Sequence, residues 1–191
     1  MSVSLRCYST SLGCPKNRVD TERLLGSLGV ALVPVESPDE AELVFINTCA
    51  FIQPATEESV RTIAQAIADI EELPKRPLLA VAGCLVGRYH AEDLAPELPE
   101  VDLWLDNSDL EAWPAMLARK LGLPEPTVPG RILSTGPSYA WLKISDGCRH
   151  ACSFCAIPNI RGGHRSHCKD MIVREARALL DQGVKELNLV A

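Results

Sequence analysis

The sequence predicts an α/β protein built on a mostly parallel sheet. Three observations carry that expectation. Short β-rich runs alternate with stretches of helical spacing over residues 1–122. The run "PLLAVAGC" reads as a strand buried on both faces. After a segment rich in proline and glycine, the strand–helix pattern starts again.

In chain order, "VSLRCYS" is a strand candidate and "TSLGCPKN" the loop after it. Asn17 can cap a helix over about 18–28, with Asp20 in its first turn and Gly29 as terminator. "ALVPV" and "ELVFIN" are further β-rich runs. A long helix is expected after Pro54, with Val60, Ile63, Ala64, Ile67 and Ile70 on one face. "PLLAVAGC" and "VDLWLD" follow as strands. Residues 110–121 read as a helix begun by Ser108 or Asp109, with Pro114 near its start.

The segment "GLPEPTVPGRILSTGPS" holds four of the fourteen prolines and three of the twelve glycines, so it marks a boundary. The expected division is a first domain at 1–122, a linker at 123–138 and a second unit at 139–191. In the second unit "YAWLKIS" is a strand and 171–182 a helix with Ile172, Ala176, Leu179 and Leu180 at helical spacing. Gly183 ends that helix and "KELNLVA" returns as a strand. One βαβ unit cannot bury both its faces alone, so the second domain is expected to be incomplete and the chain a fragment of a longer protein.

Hydrophobic residues make up 47% and charged residues 23% of the 191, as in a globular chain. The longest nonpolar stretch, Leu78 to Gly87, is too short to cross a bilayer. No secretory signal pattern opens the chain, so a cytoplasmic location is expected and no membrane partner. The net charge is −6 without any run of Lys and Arg, so direct nucleic-acid binding is not expected.

Eight cysteines stand at 7, 14, 49, 84, 148, 152, 155 and 168. Without export, metal or redox chemistry accounts for them better than disulfides do. Cys14, Cys49 and Cys84 each follow a predicted strand and precede a helix, a position at the sheet edge where ligands bind. The alternative for each is a small buried hydrophobe, the reading that suits Cys7 within its strand. Cys168, just ahead of a helix, reads as a plain loop cysteine or a reactive thiol.

Cys148, Cys152 and Cys155 share one loop, "DGCRHACSFCAIPNIRGGHRS", which Gly147 lets turn tightly. Two metal centres fit three thiols so spaced. A structural zinc would take His164 or His167 as fourth ligand, His150 being awkwardly set between the thiols. An iron–sulfur cube would leave one iron open to a small molecule. Phe154 packs an aromatic ring beside the last thiol. The stretch Arg161-Gly162-Gly163 reads as a polar loop with no ligand role.

Cys-x3-Cys-x2-Cys after the first strand of a parallel α/β unit resembles the radical S-adenosylmethionine enzymes. Three dispersed cysteines ahead of that loop look like the methylthiotransferases of that family, over essentially the whole chain. The resemblance implies an N-terminal parallel-sheet domain of methylthiotransferase type followed by the first βαβ unit of a truncated radical (β/α) barrel. It implies two [4Fe-4S] clusters, one on Cys14, Cys49 and Cys84 and one on Cys148, Cys152 and Cys155. It further implies S-adenosyl-L-methionine as methyl donor and radical source, with an adenine pocket that Phe154 would line unless it simply packs, and an electron donor such as flavodoxin or ferredoxin.

"SLGCPKNRVDTE" and "KISDGCRHACSFCAIPNIRGGHRS" resemble the branch, the RimO type, that methylthiolates the β-carbon of an aspartate in a small-subunit ribosomal protein. The tRNA adenosine branch, the MiaB type, typically has Gln-Met-Asn where Pro15-Lys16-Asn17 stands here. Ala50 and Cys168 depart from the expected glycine and proline. The competing readings are that tRNA activity and a zinc-stabilised binding module without catalysis. The fragment alone is expected to be inactive, since a barrel binds its cofactor with several strands.

Overall fold

The computed structural model describes residues 4–127, 129–150 and 152–191; Val3, the start of the first predicted strand, lies outside them. Strand β1 (Ser4–Ser11), helix α1 (Pro15–Ser27), β2 (Ala31–Pro34), β3 (Leu43–Thr48), α2 (Gln53–Ile70) and β4 (Leu78–Gly83) follow one another. Then come α3 (Cys84–Tyr89), α4 (Ala91–Leu94), β5 (Leu103–Asp106) and α5 (Trp113–Leu121). The five strands form one sheet in the order β2-β1-β3-β4-β5, every pair parallel. An α/β fold with a parallel sheet is therefore what the chain adopts.

Side-chain alternation along β3 shows why both faces must be covered. Leu43 and Phe45 join Leu24 and Leu25 of α1 and Trp113 and Leu117 of α5. Val44 and Ile46 join Ile63 and Ile70 of α2 and Leu85 of α3. A parallel sheet read this way is apolar at every position of its central strands.

Several local expectations shift. Helix α1 begins at Pro15 with Cys14 in the N-cap position, so Asn17 lies inside the first turn and is fully buried rather than capping. Proline's fixed φ suits the first helical position, and that starts the helix three residues early. Helix α2 buries Thr56, Ser59, Ile63, Ala66 and Ile70 and leaves Val60 and Ala64 exposed. The face is rotated because Ser59 is held inward: its hydroxyl accepts from Cys49 N at 3.0 Å and donates to Cys49 O at 2.7 Å. Helix α5 starts at Trp113, after a 3₁₀ turn at Asn107–Asp109 that Asp106 caps through Ser108 N at 2.7 Å. Helix α3 opens at Cys84 itself, where a helix is expected after the strand, while α4, four residues long, was not legible in the sequence.

Beyond the sheet, the described residues of 123–138 form neither helix nor strand. They do not hang free: Arg131 pairs with Glu22 of α1 at 2.7 Å, and Ser134 N donates to Glu22 at 2.9 Å. Strand β6 (Tyr139–Lys143), β7 (Ser145–Asp146), α6 (Ile157–Arg161), β8 (Arg165–Ser166), α7 (Lys169–Asp181) and β9 (Glu186–Val190) complete the chain. Strands β6 and β9 pair in parallel and α7 joins them, which is the expected βαβ unit. Leu179 of α7 is fully buried between them, while Leu180 faces solvent instead of the core. Among the described residues no helix is long and apolar enough to cross a membrane.

Candidate metal centres at the sheet edge

Strands β1, β3 and β4 are neighbours, and their carboxyl ends carry the dispersed cysteines. Cys14 stands at the N-cap of α1, Cys49 follows β3, and Cys84 opens α3. Cys14 is exposed, whereas Cys49 and Cys84 are buried. Hydrogen bonds tie the three strand ends together. The Asn17 amide donates to Leu12 O and to Thr48 O, both at 2.8 Å. The Thr48 hydroxyl donates to Ala82 O at 2.6 Å and accepts from Leu85 N at 3.2 Å. The loops that carry the thiols are thus fixed to one another by buried polar groups that an apolar interior cannot leave unpaired.

Gly13 keeps room for this arrangement. Its φ of 82° suits glycine, and a methyl group there would stand 2.6 Å from Cys49 Sγ. All described cysteines are free thiols. Burial pushes the Cys84 thiol up, the nearby Cys49 and Cys14 add to that, and the Arg161 guanidinium opposes it. Three thiols at one edge form a donor set suited to a soft metal or an iron–sulfur cluster. Among the described residues no three Cys, His, Asp or Glu side chains converge tightly enough for a single ion. Cys7 is buried in the core beside Leu24 and Leu43, where burial pushes its thiol up to about 12.

The second triad lies in the loop between β7 and α6, which the antiparallel β7–β8 pair closes. Gly147, at φ 71°, brings this loop against the carbonyl oxygens of Gly162 and Gly163, where a side chain would collide. Cys148 N donates to Gly162 O at 3.2 Å and Cys155 N to Cys152 O at 3.1 Å. Cys148 and Cys155 are half-buried and Cys152 is exposed. Phe154 is 91% exposed, so the packing alternative does not hold for it. His150 and His164 are exposed; His167 is half-buried and Cys168, the N-cap residue of α7, exposed.

The loop of the second triad touches α1 beside Cys14. Lys16, two residues past Cys14, stands 3.9 Å from Asp146, two residues before Cys148. Behind that pair lies a buried charge cluster that sequence reading missed. Lys143 Nζ bonds Asp20 and, at 2.9 Å, Asp146. Arg161 donates to Asp146 at 2.9 Å, to Asp20 at 3.3 Å and to Asn17 at 2.5 Å. Arg161 is therefore no member of a polar loop: it ends α6, buried, and joins the second triad's loop to α1. Burial works to raise the Asp146 carboxyl, but Lys143 and Arg161 overcome it and hold the group well below the usual carboxylate range. The signal available was Lys143 itself, a lone cation inside the apolar run "YAWLKIS".

The chain is similar to several curated proteins. A curated relative from Nitratidesulfovibrio vulgaris (strain DP4), named "Ribosomal protein uS12 methylthiotransferase RimO", is 71% identical over 96% of this chain and 43% of its own length. Relatives of the same name from Lawsonia intracellularis and Aquifex aeolicus are 58% and 49% identical, over 100% and 95% of this chain and 43% and 40% of theirs. The chain spans about two-fifths of the length of these relatives. Residues 6–106, the five-stranded sheet with its three strand-end cysteines, match the family described as "Uncharacterized protein family UPF0004", and the chain belongs to that family.

Proposed function

We propose that this chain is the part of a methylthiotransferase that holds two iron–sulfur clusters, and that the whole protein methylthiolates the β-carbon of an aspartate in a small-subunit ribosomal protein. The observation that carries the reading is the gathering of Cys14, Cys49 and Cys84 at three neighbouring strand ends, with the loop of Cys148, Cys152 and Cys155 held against α1 by the 3.9 Å pair of Lys16 and Asp146. The choice of a ribosomal protein over tRNA rests on the printed names of the relatives. The β-carbon of an aspartate has no proton that a side-chain base removes readily, so general base catalysis does not serve. The clusters and S-adenosyl-L-methionine would supply the sulfur, methyl and radical chemistry.

The chain's own residues hold those groups. Cys14, Cys49 and Cys84 would bind one [4Fe-4S] cluster, Cys148, Cys152 and Cys155 the other, and Phe154, free at the surface of its loop, would meet the adenine. Asn17 and Thr48 keep the first three thiol loops in register. Lys143 and Arg161 keep the second loop seated on α1. A flavodoxin or ferredoxin in the cytoplasm would donate the electron. The division into a domain at 1–122, a connecting segment at 123–138 and the start of a barrel at 139–191 belongs to the same proposal.

Iron and sulfide analysis of the whole protein purified without oxygen tests it. About eight irons per chain are expected. Replacing Cys14, Cys49 and Cys84 with Ala should halve the iron while 5′-deoxyadenosine is still formed; Cys148→Ala should abolish that product. Stoichiometric zinc in place of iron, or product formation by Cys148→Ala at the parent rate, would refute the reading.

A further inference from the structure

Asn107 sits in the 3₁₀ turn after β5, 1% exposed, on the far side of Cys84 from the other two cysteines' loops. Its amide nitrogen points at Cys84 Sγ across 3.8 Å, and its amide oxygen has no partner among the described residues. A buried amide with an orphaned acceptor costs stability that an apolar residue of the same shape would not. Folding alone therefore does not explain Asn107, and the sulfur does. A thiolate has no proton to give, so it can only accept, and the amide meets it with N–H.

A second group reaches the same sulfur from the other unit. Asn17 Oδ1 lies 3.7 Å from Cys84 Sγ and 2.5 Å from Arg161. The guanidinium and the thiol thus share one amide oxygen, and Arg161, itself paired with Asp20 and Asp146, is the positive group that acts on the Cys84 sulfur. Neither Cys14, which is exposed, nor Cys49, whose peptide is held by Ser59, has such a pair of partners among the hydrogen bonds of the described residues.

We infer that Asn107 and Arg161 are positioning residues for the first cluster, setting its reduction potential through the Cys84 sulfur, and that Arg161 makes that potential depend on the docking of the second triad's unit. The inference rests on the cluster assignment proposed above. Hydrogen bonds and positive charge at a ligating sulfur favour the reduced, more negative cluster and raise its potential.

The test uses the whole protein with Cys148, Cys152 and Cys155 changed to Ala, so that only the first cluster is read, in an EPR-monitored redox titration. Asn107→Leu should keep about four irons per chain and move the midpoint to more negative potential. Arg161→Gln should move it the same way, and Arg161→Lys, which keeps the charge, should bring it back toward the parent. If Arg161→Gln does not fold, Asn107→Leu and Arg161→Lys still decide. An unchanged midpoint in an iron-loaded Asn107→Leu protein would overturn the inference, as would loss of iron from a folded one. Absence of iron from the parent would instead overturn the cluster assignment on which it rests.

Discussion

Replacing Lys143 by Met should destabilise the protein by about 3–5 kcal/mol, because it removes one partner from a buried ionic cluster. The size follows from the geometry. Lys143 is 1% exposed and its Nζ lies 2.9 Å from Asp146 while also bonding Asp20. At an effective dielectric of about 20, one such contact at that separation is worth roughly 6 kcal/mol before desolvation is counted. Met fills much of the same volume, so the loss is electrostatic rather than a cavity. It leaves Asp20 and Asp146 sharing Arg161, with Lys16 reaching Asp146 only at 3.9 Å.

Restoring the balance should restore stability. In Lys143→Met combined with Asp20→Asn, Arg161 and Asp146 remain as a neutral pair. The double variant should therefore be more stable than the sum of the two single losses, by about 0.5–3 kcal/mol. Urea unfolding of the apoprotein, followed by circular dichroism under reducing conditions, reads all four corners of the cycle. A single variant within 1 kcal/mol of the parent, below the roughly 3 kcal/mol expected for a broken buried pair, would refute the reasoning, as would strict additivity.

Three further outcomes are expected. Gly147→Ala should destabilise by about 1–3 kcal/mol, since it strains a φ of 71° and drives a methyl group into the carbonyls of Gly162 and Gly163; an unchanged urea midpoint would count against it. Burial works to raise the Glu175 carboxyl, but bonds from Arg23 and Arg131 leave it below its ordinary value, so it adds stability above the unfolded carboxyl's pKa of about 4.3. That contribution drains away as pH falls through the lower folded value, so Glu175→Gln should flatten the acid side of a stability–pH curve below about pH 5, and parallel curves would refute it. In the apoprotein Cys7, its thiol pushed from 9.0 to about 12, should alkylate at least about 10³-fold more slowly than exposed Cys168, read site by site by mass spectrometry. Equal rates would show that Cys7 is not held in the core.

The sheet was legible because its signals are local. Each strand run and each helical spacing can be read within a dozen residues, and the cysteines at strand ends inherit their positions from that pattern. What escaped was set by partners far along the chain. The α2 face was misread by one position because a serine, not an apolar residue, is drawn inward by the Cys49 peptide. Asn17 looked like a cap because its amide's true partners, Leu12 O, Thr48 O and Arg161, are invisible to local reading. Arg161 and Asn107 carry no motif at all; only the fold brings them beside Cys84. The short helix α6 had no periodicity to announce it, being five residues long.

The charge cluster also has a place in time. Asp20 and Lys143 are separated by 123 positions, so closing that loop costs about 4 kcal/mol of chain entropy before the pair can form. During synthesis all five strands of the first sheet leave the ribosome before Lys143 does, and Asp20 waits on a finished helix, hydrated and unpaired. The bonds that seat the second cysteine loop can then form only after the first sheet is complete in sequence. A cluster built into the first triad at that stage would meet Asn107, which belongs to the early-folding part, well before it meets Arg161. Its surroundings would change once more when the later segment arrives.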